Sequence, residues 1–155
     1  MFAINKYPDG TSYAIVHPIQ EFTFKINSYE DLWHLNQVID AQNNLGITPT
    51  ITIPNLIDAQ ADRRFAENQS SGLKLVCKFL NSMKANFKIF HPHNQEVAEA
   101  LLDNVEIMDN SEFVEKVLDR LRPINNLILM STDGGSYKWI NKMADKIGFR
   151  NEVYG

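Results

Sequence analysis

Two kinds of hydrophobic pattern alternate along the chain. Short runs rich in β-branched and aromatic residues predict strands, and longer segments with apolar residues at every third or fourth position predict helices. The first two predicted strands are expected to pair through a turn near His17 and Pro18. In sequence order the predicted strands are TSYAIV, FTFKI, TPTITIP, NFKIF, VEIM and NLILM.

The helical segments carry recognisable boundary residues. Ser28 is a good N-cap with Asp31 three residues later, and Gly46 is a typical terminator of the same helix. Ser111 is expected to cap a later helix, and the last helix is expected to end at Gly148. The predicted helices are SYEDLWHLNQVIDAQNNLG, residues 73–83, NQEVAEALLDN, SEFVEKVLDRLR and SYKWINKMADKIG. The residues expected in the core are the stripes Leu73/Val76/Leu80 and Val114/Val117/Leu118/Leu121, with Trp33 and Trp139 as packing residues.

Strands that alternate with helices of about 10–15 residues favour an α/β fold, with a mostly parallel sheet and helices on both faces. The segment NLILM is almost wholly apolar, as expected for a strand in the middle of such a sheet. A length of 155 residues without an internal linker or repeat predicts a single α/β domain over residues 1–155. The last segment, FRNEVYG, predicts either a short terminal strand or further protein that completes the unit.

Composition narrows the classes of function. The net charge of −4 and the sequence pI of about 5.5 argue against general binding to nucleic acid or to an anionic membrane. Cys77 is the single cysteine, which excludes a disulfide framework and a cysteine-based zinc site. No apolar run approaches the roughly 20 residues that span a bilayer, and residues 1–9 lack the apolar region of a signal peptide. We therefore expect a cytoplasmic protein.

Polar segments follow three of the predicted strands. These segments are NLIDAQADRRF after TITIP, HPHNQE after NFKIF and STDGGSYK after NLILM. In open α/β sheets, ligands bind outside the carboxyl ends of the strands, which lie at one edge. The three segments are therefore expected to converge, and this convergence is the main functional signal in the residue pattern.

The segment STDGGSYK combines a carboxylate with two glycines. Asp133 follows a predicted buried strand, and Gly134 and Gly135 permit close approach of a ligand or positive φ before a helix that begins near Ser136. A carboxylate there can hold Mg²⁺, and the free amides at the helix start can hold phosphate. An N-capping Asp in a tight turn explains the same residues equally well.

His91 and His93 flank Pro92 and are two residues apart, so in an extended chain their side chains point the same way. They are candidates for two nitrogen ligands of a metal or for a phosphate contact. The alternative is a pair of polar residues that close a strand. Because no third His or Cys lies nearby, a structural zinc site is not expected.

Two further segments have both a functional and a structural interpretation. The adjacent Arg63 and Arg64 suit a phosphate or carboxylate ligand, or they form a solvated pair bonded to Asp62 or Glu67. The segment KYPDGTSYAI is most simply a turn between an aromatic residue and a strand.

Taken in order, these segments resemble ribose-phosphate pyrophosphokinases, also called phosphoribosyl pyrophosphate synthetases. KYPDGT resembles their Phe-Pro-Asp-Gly-Glu segment, and TITIPNLIDAQADRRF resembles their strand and Arg-Gln-Asp-Arg loop. NFKIFHPHNQ resembles the strand that ends in their Asp-x-His element, and LILMSTDGGSYKW resembles their Ser-Pro-Asp-Ala-Gly-Gly segment. The resemblance covers nearly all of this chain and about the N-terminal half of a family member.

The resemblance implies a phosphoribosyltransferase-like lobe that binds ATP and Mg²⁺. Such enzymes transfer the diphosphate of ATP to ribose 5-phosphate, and their C-terminal lobe holds the ribose phosphate. By this resemblance, His93 is the catalytic residue, and His93 and Asp133 are the metal-associated residues. The phosphate turn contains Gly134 and Gly135. The residues expected to contact ATP are Tyr7, Asp9, Thr11, Gln60, Asp62, Arg63 and Arg64. The three residues from KYPDGT fall where the family contacts adenine in a neighbouring subunit, which implies a homo-oligomer.

Several positions depart from the family pattern. Gln60 and Ala61 stand where the family has Arg and Gln, Thr11 replaces a Glu, and His91 replaces an Asp. No paired acidic residues followed by Thr-Gly-Gly are present, so the C-terminal ribose-phosphate lobe has no counterpart in this sequence. The sequence therefore predicts the ATP-binding lobe of a ribose-phosphate pyrophosphokinase, and the alternative is a non-catalytic module that binds a synthetase or self-associates. A chance match to an unrelated nucleotide-binding domain is the weakest interpretation.

Overall fold

The structure is a computed structural model that describes residues 1–121, 127–149 and 153–154. Its contacts divide the chain into two compact units, Met1–Met108 and Asp109–Gly155. The first unit contains β1 (Phe2–Lys6), β2 (Ser12–Val16), β3 (Glu21–Thr23), α1 (Tyr29–Asn44), β4 (Thr50–Ile53), α2 (Gly72–Asn81), β5 (Asn86–Phe90), α3 (Gln95–Leu101) and β6 (Val105–Met108). The second unit contains α4 (Ser111–Leu121), β7 (Leu129–Met130), α5 (Gly134–Lys146) and β8 (Val153–Tyr154).

The centre of the first unit is a parallel sheet with the strand order β3-β4-β5-β6. Because the strands follow one another in sequence order, right-handed crossovers place α1, α2 and α3 on the same face. The strand residues on that face are buried with the apolar stripes of α1 and α2, and they include Ile51, Ile53, Phe87 and Ile89. The α/β fold class with a mostly parallel sheet is therefore confirmed.

The opening strands pair differently from the prediction. β2 pairs antiparallel with β1, from Phe2 opposite Val16 to Lys6 opposite Ser12, whereas β3 pairs in parallel with β4. The predicted pairing of TSYAIV with FTFKI is therefore wrong. β1 was missed because its sequence, FAINK, places three apolar residues before two polar ones and shows no alternation of apolar and polar positions. The ring of Phe2 nevertheless packs against Phe22 and Phe24, at centroid distances of 5.6 and 5.5 Å.

Helix α1 begins and ends as its sequence predicts. The Ser28 hydroxyl accepts from the Asp31 N–H, and the Asp31 carboxylate accepts from the Ser28 N–H, which forms a capping box. Gly46 has φ of 77° just beyond the helix, where glycine is favoured because it has no Cβ. The outer face of the helix differs from expectation, because Trp33 is 51% exposed instead of packed. Trp139 of α5 is half-buried.

The second unit contradicts two expectations about burial. Among the described residues of the segment NLILM, Leu129–Met130 forms a strand, which pairs with Val153–Tyr154, and Met130 is 70% exposed. It is therefore not the central strand of a covered sheet, although the short terminal strand is present. The predicted core stripe on α4 is also wrong, since its apolar residues are half-buried or exposed and Ser111 is its only buried residue. Some residues of these predicted segments lie outside the described residues, namely Arg122, Asn126, Arg150, Asn151, Glu152 and Gly155.

Among the described residues, no helix is long and apolar enough to cross a membrane.

Gln42 of α1 is the polar side chain on which the β2–β3 connection depends. It is fully buried, donates to the His17 carbonyl at 2.8 Å and accepts from the Ile19 N–H at 3.3 Å. We predict that Gln42→Leu lowers the free energy of unfolding by about 2 kcal/mol, because it removes two hydrogen bonds from a fully buried side chain to the backbone of the β2–β3 connection. Urea denaturation measures the change. Gln60→Leu, at an exposed position, is the matched control, and an equal effect of both substitutions would contradict the prediction.

Candidate functional site

The segments after β4 and β5 meet at one edge of the sheet. The two strands are parallel neighbours in register, with Ile53 opposite Ile89. Beyond their ends, the Asn94 side-chain amide donates to the Asp62 carboxylate at 3.1 Å. Two of the three polar strand exits therefore converge as expected, and a hydrogen bond between side chains joins them.

The environment of Asp62 keeps its carboxyl group ionised. Its side chain is 6% exposed, and the Asn94 amide is the main cause of a pKa below the ordinary value, with a smaller effect from Arg63. The Arg63 guanidinium lies 3.5 Å from the other carboxylate oxygen and is 69% exposed. The ion pair considered as the structural interpretation of Arg63 is therefore present, and most of that guanidinium still faces solvent. Arg64 and Gln60 are exposed in the same loop.

A second carboxylate, Asp58, fixes the start of the loop after β4. Asp58 has φ of 58°, in the left-handed region that few residues other than glycine adopt. Its Oδ2 atom accepts from the Tyr29 hydroxyl at 2.8 Å, and this bond raises the pKa of Tyr29. A Cβ on Gly72 would lie 2.5 Å from the same oxygen, so a larger residue at the start of α2 would displace the Asp58 side chain from this position. The role of Asp58 was not predicted, although an acidic loop residue followed by a glycine at the start of the next helix is visible in the sequence.

His91 and His93 have different environments. His91 has φ of 41°, donates its backbone N–H to Met108 at 2.7 Å, and places Nδ1 3.3 Å from the side-chain amide of Gln95. Since an amide nitrogen can only donate, Nδ1 of His91 is the acceptor. His93 is exposed. The extended backbone assumed for the pair is absent, because the chain turns at His91.

Asn94 caps α3 with its side-chain oxygen, which accepts from the Val97 N–H at 3.2 Å, while its nitrogen binds Asp62. One side chain therefore starts the helix and joins the two strand exits. The sequence analysis did not single out Asn94. An Asn directly between a strand and a helix was the available signal.

The turn of the β1–β2 hairpin is held by its own residues. Asp9 accepts from both the N–H and the hydroxyl of Thr11, at 3.0 and 2.7 Å, and the hydroxyl is the main cause of the lowered pKa of Asp9. The Tyr7 ring lies 4.5 Å from the Tyr13 ring, and Gly10 has φ of 87°. The interpretation of KYPDGT as a turn is confirmed, and its three candidate ligand residues are exposed.

Asp133, in the second unit, caps α5. Its Oδ1 atom accepts from the Ser136 N–H at 2.8 Å, and the Ser136 hydroxyl donates to the Asp133 carbonyl at 3.0 Å. Gly134 and Gly135 form the first turn of the helix without positive φ, and a Cβ on Gly134 would meet no atom within 4 Å. The capping interpretation of this segment therefore holds, and the space beside Gly134 is open, whereas a Cβ on Gly135 would lie 3.3 Å from the Asp133 carboxylate.

The chemistry of the donors assigns different tasks to the two proposed metal-associated residues. Mg²⁺ prefers carboxylate and other oxygen ligands, whereas imidazole nitrogen suits softer metals. The carboxylate of Asp133 fits Mg²⁺, and His93 fits a phosphate contact better than a bond to that ion. In the described part of the chain, no group of three or more His, Cys, Asp or Glu side chains is gathered to hold a metal. A Mg²⁺ ion that arrives with substrate phosphates needs only one or two protein carboxylates.

The second unit contains an ion pair that the sequence analysis missed. Asp109, just before α4, accepts from the Ser111 N–H at 2.9 Å and from the Lys146 ammonium at the end of α5. These bonds, with Lys146 contributing most, lower the pKa of Asp109 to about 2. The pair connects the residue just before α4 with the last turn of α5, 37 positions along the chain.

The fold matches the crystal structure of phosphoribosylpyrophosphate synthetase from Mycobacterium smegmatis, with a TM-score of 0.79. The sequences are 15% identical, and the match covers 99% of this chain and 55% of that chain. The predicted phosphoribosyltransferase-type fold is thereby confirmed, and this chain spans about half the length of the synthetase that it matches. No family model matches the sequence, and no curated protein is significantly similar to it.

The bond from Asn94 to Asp62 has a measurable electrostatic effect. Asn94→Ser keeps an oxygen that can cap α3 but removes the amide that donates to Asp62. We predict that the pKa of Asp62 rises toward its ordinary value, because its main stabilising donor is lost. Carbon-detected NMR titration of the carboxyl groups measures the shift. Asn86→Ser, at an exposed position, is the control, and an unchanged Asp62 titration in Asn94→Ser would refute the assignment.

The Asp109–Lys146 pair makes stability depend on pH in the acid range. The pKa of Asp109 is about 2 in the folded protein, and the reference value is 3.8. The ion pair therefore makes its full contribution to the free energy of unfolding above about pH 4. The contribution is lost as the pH falls toward 2. We predict that Lys146→Met lowers the free energy of unfolding at neutral pH by about 1 kcal/mol, a value reduced for the solvent exposure of the pair.

Thermal unfolding at pH 7 and at pH 2.5 checks this prediction. The destabilisation by Lys146→Met should shrink at the lower pH, where Asp109 is partly protonated also in the parent protein. Lys142→Met is the matched control, because Lys142 is exposed on the same helix. A destabilisation by Lys146→Met that is the same at both pH values would contradict the role of the ion pair.

Proposed function

We propose that this chain is the ATP- and Mg²⁺-binding lobe of a ribose-phosphate pyrophosphokinase, which converts ATP and ribose 5-phosphate into phosphoribosyl pyrophosphate and AMP. The observation that carries the proposal is the edge formed by the exits of β4 and β5. There, the Asp62–Asn94 bond connects the two segments that bear Arg63, Arg64 and His93, whose side chains are exposed. The fold of the matched synthetase supports the same activity.

In this proposal, the exposed basic residues bind the ATP phosphates. Arg63 and Arg64 present guanidinium groups that can contact phosphate oxygens in pairs. His93 is the catalytic residue and contacts the diphosphate that is transferred. Asp62 orients Arg63 through their contact at 3.5 Å, and the exposed Gln60 lies in the same loop.

The hairpin and the second unit have separate proposed tasks. Tyr7, Asp9 and Thr11 form an exposed turn that contacts the adenine of an ATP bound to a second copy of the chain. The proposed metal-associated residue of the second unit is Asp133, with a phosphate at the open helix start formed by Gly134 and Gly135. When bound, Mg²⁺ supplies charge neutralisation at the phosphates.

The proposed reaction needs positioning and charge neutralisation more than covalent chemistry by the protein. The 1-hydroxyl oxygen of ribose 5-phosphate forms a bond to the β-phosphorus of ATP. The bond from that phosphorus to the oxygen that bridges to the α-phosphorus breaks, AMP leaves with this oxygen, and the hydroxyl proton is released. His93, Arg63 and Arg64 hold the diphosphate in line with the attacking oxygen, which a second lobe would present.

A second candidate function is a non-catalytic module that associates with a synthetase or with itself. Several candidate ligand side chains are already engaged within the fold, since Asp62 binds Asn94 and Asp133 caps α5. Large apolar side chains are also exposed, with exposed fractions of 83% for Phe65, 64% for Phe113 and 70% for Met130. In this function, a partner that covers some of these side chains would remove apolar surface from water.

Formation of AMP distinguishes the two functions. We predict that the product of the complete reading frame forms AMP from MgATP only when ribose 5-phosphate is added. His93→Ala should lower this rate by about 100-fold, as loss of a charge-stabilising contact does, whereas His17→Ala, at an exposed histidine in the β2–β3 connection, should not. Chromatographic separation of AMP from ATP gives the rate.

The absence of AMP, alongside an active synthetase as a positive control, would reject the enzymatic function. Sedimentation analysis of the same preparation then tests the second function. A module is expected to form a stable homo-oligomer or a complex with an added synthetase. A protein that stays monomeric at high concentration and binds no synthetase would count against the module.

A further inference from the structure

The outer face of α1 and strand β2 form a groove that the proposed function does not use. The groove has a volume of about 430 Å³, and both of its walls belong to the first unit. Its helical residues recur at intervals of three and four positions, which places them along one face of α1. The residues lining it are Tyr13, Ala14, Trp33, Asn36, Gln37, Asp40, Ala41 and Asn44.

The floor of the groove is held by paired hydrogen bonds. The Gln37 side chain donates to the Ser12 carbonyl at 2.6 Å and accepts from the Ser12 hydroxyl at 3.1 Å. Both ends of the amide are therefore used to fix strand β2 against α1. A ligand meets walls that are already positioned, which reduces the ordering that binding requires.

The lining groups favour a positively charged ligand. Among the described residues that line the groove, Asp40 is the only charged one, and none is a Lys or Arg that could bind an anion. The Asn44 amide donates to the Asp40 carboxylate at 3.3 Å and orients it along the helix. Tyr13 and Trp33 add aromatic rings, and Trp33 is 51% exposed. A cation is attracted both by a carboxylate and by the face of an indole or phenol ring.

The spacing of these groups defines the shape of the ligand. Trp33 and Asp40 are seven residues apart on α1, which corresponds to about 10 Å along the helix axis. A compact ion cannot contact both, whereas a linear ligand with a positive charge at each end can. We propose that the groove binds a short linear organic dication with ammonium or guanidinium ends, one on the Asp40 carboxylate and the other against the rings of Trp33 and Tyr13.

Fluorescence of Trp33 provides a direct test. The chain contains two tryptophans, so Trp139→Phe leaves Trp33 as the only indole. Agmatine, a linear molecule with one ammonium and one guanidinium end, is the probe, and butane-1,4-diol at matched ionic strength is the neutral control. We predict a saturable change in Trp33 emission with agmatine and none with the diol.

Asp40→Asn in the same background should weaken agmatine binding by roughly tenfold, since it removes the charge but keeps the shape. Asp145→Asn, at an exposed acidic residue of α5, is the matched control and should leave the affinity unchanged. Circular dichroism confirms that each variant is folded. No saturable change with agmatine, or equal affinity in Asp40→Asn, would overturn the proposal. A change in Trp33 emission that follows protein concentration without agmatine would overturn it as well, because a second copy of the chain would then occupy the groove.

Discussion

The parallel register of β4 and β5 determines where the candidate site lies. Residues 62 and 94 are 32 positions apart in sequence, and they meet because the two strands run side by side and end at the same edge. A buried carboxylate at this edge needs a partner, since an uncompensated charge in a poorly hydrated position is costly. Asn94 meets that need while it also caps α3. The geometry of this edge therefore depends on hydrogen bonds between polar groups that the ends of the two strands bring together.

Other carboxylates among and near the candidate residues also accept hydrogen bonds within the fold. Asp58 accepts from Tyr29, Asp9 accepts from Thr11, and Asp133 accepts from Ser136. Each of these carboxylates holds a turn or a helix start in place. The exposed groups that remain for a polyanionic ligand in the first unit include Arg63, Arg64 and His93. These acidic residues thus stabilise the local structure, whereas the basic residues face the solvent, where the phosphates of the proposed ligand would bind.

Much of the fold was predictable from local sequence signals. Ser28, Asp31 and Gly46 mark the ends of α1, because capping and positive φ depend on residues close in sequence. The alternation in TITI and NFKIF identifies strands with one buried face. The pairing of β1 with β2 was not predictable in this way, since FAINK shows no alternation of apolar and polar residues and Phe2 packs against distant residues 22 and 24. The burial of NLILM was overestimated, because apolar composition does not specify which surface covers a strand.

In the site, the convergence of the segments after β4 and β5 was predictable from the parallel topology. The Asp62–Asn94 bond was not, because it depends on side-chain geometry that residue spacing does not specify.

The left-handed backbone at His91 limits which residues can replace it. Only glycine adopts this conformation freely, and among other residues Asn, Asp and His are enriched in it, whereas β-branched side chains are strongly disfavoured. The ribose-phosphate pyrophosphokinases that the sequence resembles have Asp at the corresponding position. The exchange of Asp for His therefore stays within the small set of residues that tolerate the turn. Asp and His are both compatible with the positive φ at position 91, so either residue allows the chain the same path into α3.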